Sequence, residues 1–118
     1  MVGAIINDIS KIYNLSNCKD VLTTIDCLKK CNVKIKSLDN GEIEILGGDL
    51  KSPFKELNCQ NSGTTTRLLV GLLAGQGIDA HFVGDQSLAN RPMKRIISPL
   101  EKMGLKIKSN NNTLPLSI

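Results

Sequence analysis

Apolar and polar residues alternate with a period of two in several short stretches of this chain, and such alternation predicts β-strands with one buried face. The clearest stretches are residues 33–36, 42–45 and 105–108. Short apolar runs predict further strands at 11–15, 56–59, 80–83 and 114–118. Asp39-Asn40-Gly41 and Asn110-Asn111-Asn112 predict two hairpin turns, because Asn, Asp and Gly are favoured in tight turns.

Apolar residues spaced three and four apart predict helices between these strands. The helices comprise residues 1–9 (the end of an apolar helix), a segment that starts near Asn17-Cys18-Lys19-Asp20, and residues 64–75 and 92–103. In the second helix, Asn17 or Asp20 is expected to cap the N-terminus. Its buried face is expected to contain Val21, Ile25 and Leu28. Pro92 would occupy the first position of the last helix, where a missing N–H costs nothing.

The order of elements repeats along the chain, and one segment repeats in sequence as well. Residues 28–37 and 100–109 are identical at six of ten positions. Chance similarity between two helix-to-strand connections is the alternative to a true repeat. A true repeat would be a strand–helix–strand–helix–strand–strand (βαβαββ) unit, complete in residues 51–118 but without its opening strand and most of its first helix in 1–50. The sequence therefore predicts an α/β (α+β) fold of such units, in a chain truncated at its N-terminus.

The composition is that of one modest globular domain. Of 118 residues, 41% are hydrophobic and 22% are charged, which does not fit a disordered chain. No apolar run reaches the ~18 residues of a membrane span, and the N-terminus lacks a secretory signal, so we expect a cytoplasmic protein without membrane contact. The net charge of +4 is spread over scattered lysines, and Tyr13, Phe54 and Phe82 are few for base stacking, so nucleic-acid binding is not expected.

The cysteines and the histidine give no sign of a metal site. The four cysteines form no Cys-x-x-Cys pair, and Cys27 and Cys31 lie one helical turn apart, so we expect buried, reduced thiols. The single histidine, His81, falls in an apolar stretch and is expected to be a strand residue with a hydrogen-bonded ring.

Two segments carry the candidate chemistry. A small, hydroxyl-rich turn, Asn61-Ser62-Gly63-Thr64-Thr65-Thr66-Arg67, opens into an apolar helix, and Gly84-Asp85-Gln86-Ser87-Leu88 precedes Arg91-Pro92-Met93. Backbone N–H groups at a helix start attract anions. An arginine adds a planar, permanently charged fork for carboxylate or phosphate. Together the segments predict a site for a small, highly anionic substrate; a phosphate-loop nucleotide site is excluded, since no Gly-x-x-x-x-Gly-Lys-(Ser/Thr) run occurs.

These segments resemble the 5-enolpyruvylshikimate-3-phosphate (EPSP) synthase family. The matching stretches are Asn61–Arg67 (Asn-(Ser/Ala)-Gly-Thr-x-x-Arg in the family), Gly84–Met93 (Gly-Asp-x-Ser-Leu-x-x-Arg-Pro-Met) and Pro99–Gly104 (Pro-Leu-x-x-Met-Gly). The resemblance implies an inside-out α/β barrel fold, with three βαβαββ units in each of two domains, of which this chain would supply roughly two units. It also implies the family reaction. In that reaction the enolpyruvyl group of phosphoenolpyruvate moves to the 5-hydroxyl of shikimate 3-phosphate, and phosphate leaves.

The resemblance also assigns roles to individual residues. The residues that it implies for phosphoenolpyruvate binding are Asn61, Gly63, Thr64 and Arg91. Those expected to hold the turn and the loop in place are Arg67, Asp85 and Ser87. No catalytic residue, metal or cofactor is expected in the chain, because the family's acid/base groups lie elsewhere, so the chain alone is expected to be inactive. Leu68 stands where some family members have proline, which leaves sensitivity to the inhibitor glyphosate open.

Two alternatives stay open at the level of sequence. The related enolpyruvyl transferase that acts on UDP-N-acetylglucosamine shares the fold and the donor, but not the Asn-Ser-Gly-Thr turn. A non-catalytic α/β domain that binds anions or protein through its basic face is the second alternative. The parent enzyme is expected to be monomeric, whereas an unpaired sheet edge would allow this chain to self-associate.

Overall fold

Two small β-sheets, each packed against helices, form the framework of the protein. The computed structural model describes residues 1–38 and 41–118. The first sheet consists of β1 (Ile9–Ile12), β2 (Lys34–Ser37) and β3 (Ile43–Leu46), antiparallel in the order β1-β3-β2. The second consists of β4 (Leu57–Asn58), β5 (His81–Val83), β6 (Lys108–Asn110) and β7 (Thr113–Ser117) in the order β4-β5-β7-β6. In this sheet β4 and β5 are parallel, and the other pairs are antiparallel. The helices are α1 (Val2–Ile5), α2 (Lys19–Lys30), α3 (Gly63–Gly75), α4 (Gln86–Ala89) and α5 (Lys94–Lys102).

The same strand–helix–strand–strand arrangement occurs in both sheets. In the first sheet it is formed by β1, α2, β2 and β3, and in the second by β5, α5, β6 and β7. In each set the last strand lies between the other two and pairs antiparallel with both. The arrangement supports the repeat inferred from sequence, whereas the unit boundaries at residues 1–50 and 51–118 remain a prediction.

Helices α2 and α5 end in the same kind of cap. Asn32 and Gly104 follow these helices and have positive φ angles of 70° and 96°. The next N–H returns to a carbonyl five residues earlier, from Val33 to Leu28 (3.1 Å) and from Leu105 to Leu100 (3.0 Å). This is the Schellman geometry, in which a left-handed residue lets the backbone satisfy the last carbonyls of a helix. The two similar sequence segments therefore share local structure.

The strand pairings of both predicted hairpins are present, although the strand predicted at 105–108 is found at Lys108–Asn110. β2 pairs with β3, whereas Asp39 and Asn40 of the predicted turn lie outside the described residues. β6 pairs with β7 around Asn111 and Asn112, whose φ angles are 50° and 61°.

The predictions for the N-terminal segment are wrong in their bounds. The helix predicted up to residue 9 ends at Ile5, and the strand predicted at 11–15 is β1, at residues 9–12. Pairing with β3 explains the shift, because Ile9 lies opposite Leu46 and Ile12 opposite Ile43. Partners distant in sequence, not the local apolar run, determine where this strand begins.

The predicted cap and buried face of α2 also need correction. Its N-cap is Cys18, with extended φ and ψ angles of −67° and 153°, and is neither Asn17 nor Asp20. The buried residues of the helix are Thr23, Cys27 and Leu28, whereas Val21 and Ile25 are only partly buried. The buried stripe is rotated because α2 packs against both α3 and β4.

The start of α5 differs from the prediction for a similar reason. The N-cap is the buried Met93, so Pro92 precedes the helix and does not occupy its first position. The Met93 N–H donates to the Asn112 carbonyl over 2.7 Å, which ties the helix start to the β6–β7 turn. Helix α4 was not predicted, because its four residues are too short for a periodic pattern.

Three of the four cysteines are buried as expected. Cys27, Cys31 and Cys59 are fully buried, and burial raises the pKa of the Cys31 thiol to about 11. Cys18 contradicts the prediction, because it is exposed, and the Val21 N–H beside it lowers the pKa of its thiol.

His81 lies in β5, and its Nδ1 hydrogen-bonds to the Ser117 hydroxyl over 2.7 Å, although its side chain is exposed. In the described part of the chain, no helix is both long and apolar enough to cross a membrane.

Candidate functional site

The two sequence segments singled out above meet at the carboxyl ends of β4 and β5. These strands are parallel neighbours, so the loops that leave them start at the same edge of the sheet. The Cys59 N–H donates to the Val83 carbonyl, and the Asp85 N–H donates to the Gln60 carbonyl, both over 2.8 Å. These bonds bring the Asn61 turn against the Asp85 loop.

Ser62 organises the first turn of α3. It is the N-cap, and its hydroxyl accepts from the Thr65 N–H over 3.2 Å. The Thr66 hydroxyl donates to the Ser62 carbonyl over 2.9 Å. The N–H groups of Gly63 and Thr64 belong to the first turn, where helix geometry provides no intrahelical acceptor, and Thr64 is exposed. Ser62 was not named as a cap from sequence, although serine before an apolar helix is a recognised signal.

Asp85 is the N-cap of α4. One carboxylate oxygen, Oδ1, accepts from the Leu88 N–H over 2.8 Å, and the other, Oδ2, accepts from the Asn61 amide nitrogen over 2.8 Å. The Leu88 N–H and then the Asn61 amide lower the pKa of Asp85. The carboxylate therefore stays ionised at neutral pH and is not a proton donor.

Arg91 reaches back to the Asn61 turn. Its Nη2 donates to the Asn61 side-chain oxygen Oδ1 over 2.5 Å and to the Ser87 hydroxyl over 3.5 Å. Its Nη1 donates to the Asn61 carbonyl over 3.5 Å. The guanidinium is thus held by the Asn61 turn and by Ser87 of α4.

Arg67 lies beside Arg91, above Gly63. Its Nη2 donates to the Pro92 carbonyl over 3.5 Å. A Cβ on the buried Gly63 would lie 2.8 Å from Nη1 of Arg67 and 3.6 Å from Nη1 of Arg91. Both guanidinium groups therefore lie within 4 Å of one point, and a side chain at residue 63 would displace the end of Arg67.

Neither arginine is neutralised by a contacting carboxylate within residues 1–38 and 41–118. The salt bridges found there join Lys30 to Asp26 (3.6 Å) and Lys51 to Asp49 (3.3 Å). Two guanidinium groups beside a helix N-terminus can bind an anion with several acceptor oxygens.

The structure brings the predicted site residues together. Those in direct contact with one another or with the loops of the site are Asn61, Gly63, Arg67, Asp85, Ser87 and Arg91. Thr64 is next to them on the exposed first turn of α3. Sequence reasoning found these residues but not the contact of Asp85 with Asn61.

Comparison with known proteins gives one consistent family. The family model described as EPSP synthase (3-phosphoshikimate 1-carboxyvinyltransferase) matches residues 1–118. Among curated proteins, the 3-phosphoshikimate 1-carboxyvinyltransferase of Desulforamulus reducens is 42% identical over 123 residues, covering 100% of this chain and 29% of the relative. The enzyme of the same name from Oenococcus oeni is 43% identical over 122 residues, covering 100% of this chain and 28% of the relative.

A solved structure agrees with these sequence matches. EPSP synthase from Acinetobacter baumannii superimposes with a TM-score of 0.92 at 38% identity, covering 98% of this chain and 28% of that chain. This chain therefore spans less than a third of the length of the relatives that it matches.

Proposed function

This chain belongs to the EPSP synthase family, and from that membership we propose that it forms part of the phosphoenolpyruvate- and shikimate 3-phosphate-binding surface of a 3-phosphoshikimate 1-carboxyvinyltransferase. Its fold is the family's inside-out α/β fold. The relatives reported above all carry the name of the shikimate enzyme, which favours it over the enzyme that acts on UDP-N-acetylglucosamine.

The observation that carries the proposal is the placement of Arg91 beside the first turn of α3. Phosphoenolpyruvate has a phosphate and a carboxylate, and both accept charge-assisted hydrogen bonds from guanidinium groups. Arg91 has no contacting carboxylate in the described part of the chain, so its charge is available to such a ligand. The N–H groups of Gly63 and Thr64 are further donors at the start of α3.

The chain itself is proposed to bind and not to catalyse. Addition of the hydroxyl and loss of phosphate need a positioned proton donor and acceptor. Asp85, the carboxylate of the site, is held ionised by its hydrogen bonds and belongs to the framework of the loop. Proton transfer is therefore assigned to residues outside this chain.

A chimera tests the proposed function directly. This chain replaces the matching segment of EPSP synthase from Acinetobacter baumannii, with which 98% of it superimposes. We expect phosphate release that requires both phosphoenolpyruvate and shikimate 3-phosphate, because the binding surface is complete in the chimera. A folded chimera that releases phosphate only at the background rate contradicts the proposal.

Arg91→Ala in the chimera tests the residue that carries the proposal. We expect the KM for phosphoenolpyruvate to rise about 10- to 100-fold, because a hydrogen bond to a charged group contributes about 1.5–3 kcal/mol. Arg95→Ala is the matched control, since Arg95 is an exposed arginine on the neighbouring helix α5. Equal KM values for the two variants would show that Arg91 does not bind phosphoenolpyruvate.

A further inference from the structure

Asp85, Asn61 and Arg91 form one line of hydrogen bonds from the α4 cap to the anion-binding guanidinium. Asp85 Oδ2 accepts from Asn61 Nδ2 over 2.8 Å, and Asn61 Oδ1 accepts from Arg91 Nη2 over 2.5 Å. We propose that Asp85 is a positioning residue that fixes the orientation of the Asn61 amide and through it holds the guanidinium of Arg91 in place for the anion. The inference rests on the proposed function, in which Arg91 binds the ligand.

Donor and acceptor types permit only one orientation of the amide. An ionised carboxylate only accepts hydrogen bonds, and a guanidinium only donates them. The amide of Asn61 has one donor end and one acceptor end, so it bridges the two groups only with Nδ2 toward Asp85 and Oδ1 toward Arg91. The opposite orientation would place two donors face to face at Arg91 and two acceptors face to face at Asp85. Asp85 therefore selects the amide orientation that Arg91 needs.

The second support of Arg91 depends on Asp85 as well. Asp85 Oδ1 caps α4 through the Leu88 N–H over 2.8 Å. That helix carries Ser87, whose hydroxyl accepts from Arg91 Nη2 over 3.5 Å. One carboxylate oxygen thus supports Arg91 through Asn61, and the other supports it through α4 and Ser87. A serine or asparagine in place of Asp85 could supply the cap but could not accept from Asn61 in the same way.

Asp85→Asn separates the two roles, because asparagine is as good an N-cap as aspartate. The substituted residue keeps Oδ1 for the Leu88 N–H but presents an amide nitrogen to the Asn61 Nδ2. Two donors then face each other, so the Asn61 amide loses its fixed orientation. Asp79→Asn is the matched control, since Asp79 is an exposed aspartate just before β5.

The first experiment does not involve ligand and uses the 118-residue chain labelled with nitrogen-15. In Asp85→Asn we expect the side-chain amide resonances of Asn61 to change their chemical shifts. The guanidinium of Arg91 should rotate faster than in the unsubstituted chain. The Leu88 N–H should keep its chemical shift, because the cap remains. Asp79→Asn should leave all three unchanged. Unchanged Asn61 and Arg91 resonances in Asp85→Asn would overturn the inference, whether or not phosphoenolpyruvate binds.

Asp85→Ser provides a second variant. Serine is also a good N-cap, and its short side chain lacks the second oxygen. We expect the same changes at Asn61 and Arg91 as in Asp85→Asn. A Leu88 N–H that keeps its shift shows that α4 is intact in both variants. If Arg91 stays ordered in Asp85→Ser, Asp85 does not position it.

A reciprocal exchange tests orientation separately from charge. In the double variant Asn61→Asp and Asp85→Asn, the new amide donates to the new carboxylate, and that carboxylate accepts from Arg91. We expect slow rotation of the Arg91 guanidinium to return. Phosphoenolpyruvate affinity should stay low, because Arg91 is then paired with a carboxylate. Fast rotation in the double variant would contradict the line of hydrogen bonds.

Titration with phosphoenolpyruvate completes the test. We expect the affinity for phosphoenolpyruvate to be about tenfold lower in Asp85→Asn than in the unsubstituted chain, and unchanged in Asp79→Asn. Equal affinity in Asp85→Asn and the parent would overturn the inference. If the parent chain binds no phosphoenolpyruvate, the proposed function fails for the isolated chain, and the resonances of Asn61 and Arg91 in the first experiment still decide the role of Asp85.

Discussion

Gly63 shows how a single residue can shape the site. It is buried at the start of α3, and the ends of Arg67 and Arg91 lie above it. The nearest atom to an added Cβ is the tip of a flexible side chain and not backbone, so the fold can accept a methyl group there. The methyl group would instead displace the guanidinium group of Arg67. We therefore expect Gly63 to matter for ligand binding more than for folding.

Gly63→Ala is expected to weaken phosphoenolpyruvate binding about tenfold, or about 1.4 kcal/mol, because the methyl group displaces Arg67 and crowds the ligand. The melting temperature should change little. Affinity is measured by titration and stability by thermal unfolding. Gly71→Ala, in the same helix and with nothing within 4 Å of its added Cβ, is the control for affinity. A large loss of stability with unchanged affinity would reverse this assignment.

At the scale of elements, helix ends are set by residues with positive φ. Gly77 and Gly104 follow α3 and α5 with φ angles of 67° and 96°, and Asn32 follows α2. All three precede an N–H that returns to a carbonyl five residues earlier. The Asn32 side chain adds a 2.9 Å bond to the carboxylate of Asp49. This explains why asparagine serves at a position where glycine is the usual residue.

Gly104→Ala is expected to reduce the free energy of unfolding by about 1–2 kcal/mol, since a left-handed conformation costs a residue with a Cβ about that much. Its Cβ would meet nothing within 4 Å, so the loss comes from φ and not from a clash. Gly75→Ala is the control, because Gly75 is helical, and its Cβ also meets nothing within 4 Å. It should gain about 0.5–1 kcal/mol. Denaturant unfolding measures both changes, and losses of equal size would refute the argument.

Sequence was a good guide to elements with a periodic pattern and a poor guide to their ends. Helix α3 was predicted at residues 64–75 and is found at Gly63–Gly75, because its apolar residues and its end at glycine are local signals. The start of α5 was wrong, since it depends on a bond to Asn112 that no local pattern shows. For the candidate site, the sequence motifs identified the candidate residues. The contacts of Asp85 follow from two strands being neighbours and could not be read from spacing.

At the scale of the whole molecule, α2 joins the two sheets. It packs against α3 and β4, which belong to the second half of the chain. The Thr24 and Thr65 hydroxyls lie 2.8 Å apart, and the Thr65 hydroxyl donates to the Asp20 carbonyl over 3.2 Å. The Cys27 thiol lies 3.7 Å from the Asn58 carbonyl. Polar bonds thus tie α2 to the helix that carries the site, an arrangement that the sequence pattern did not indicate.

Thr65→Val is expected to lower the free energy of unfolding by about 1–3 kcal/mol, because it removes buried hydrogen bonds between the two halves without changing shape. Thr64→Val is the matched control, since the neighbouring Thr64 is exposed, and a surface change costs within about 0.5 kcal/mol. Chemical denaturation of both variants measures the difference. Equal stability would mean that the hydroxyl does not contribute to joining the halves.

The two guanidinium groups above Gly63 have a consequence for how this protein is handled in solution. They carry like charge near one point, and the described residues provide no contacting carboxylate between them. Any multivalent anion that settles there binds the folded chain and not the unfolded one, and at one hundred times its Kd it adds about 2.7 kcal/mol to stability. Phosphate or sulfate in a buffer would then act as a stabilising additive and as a competitor of the proposed ligand, phosphoenolpyruvate. If the proposed site binds anions, we expect both the melting temperature and the apparent affinity for phosphoenolpyruvate to depend on the buffer salt.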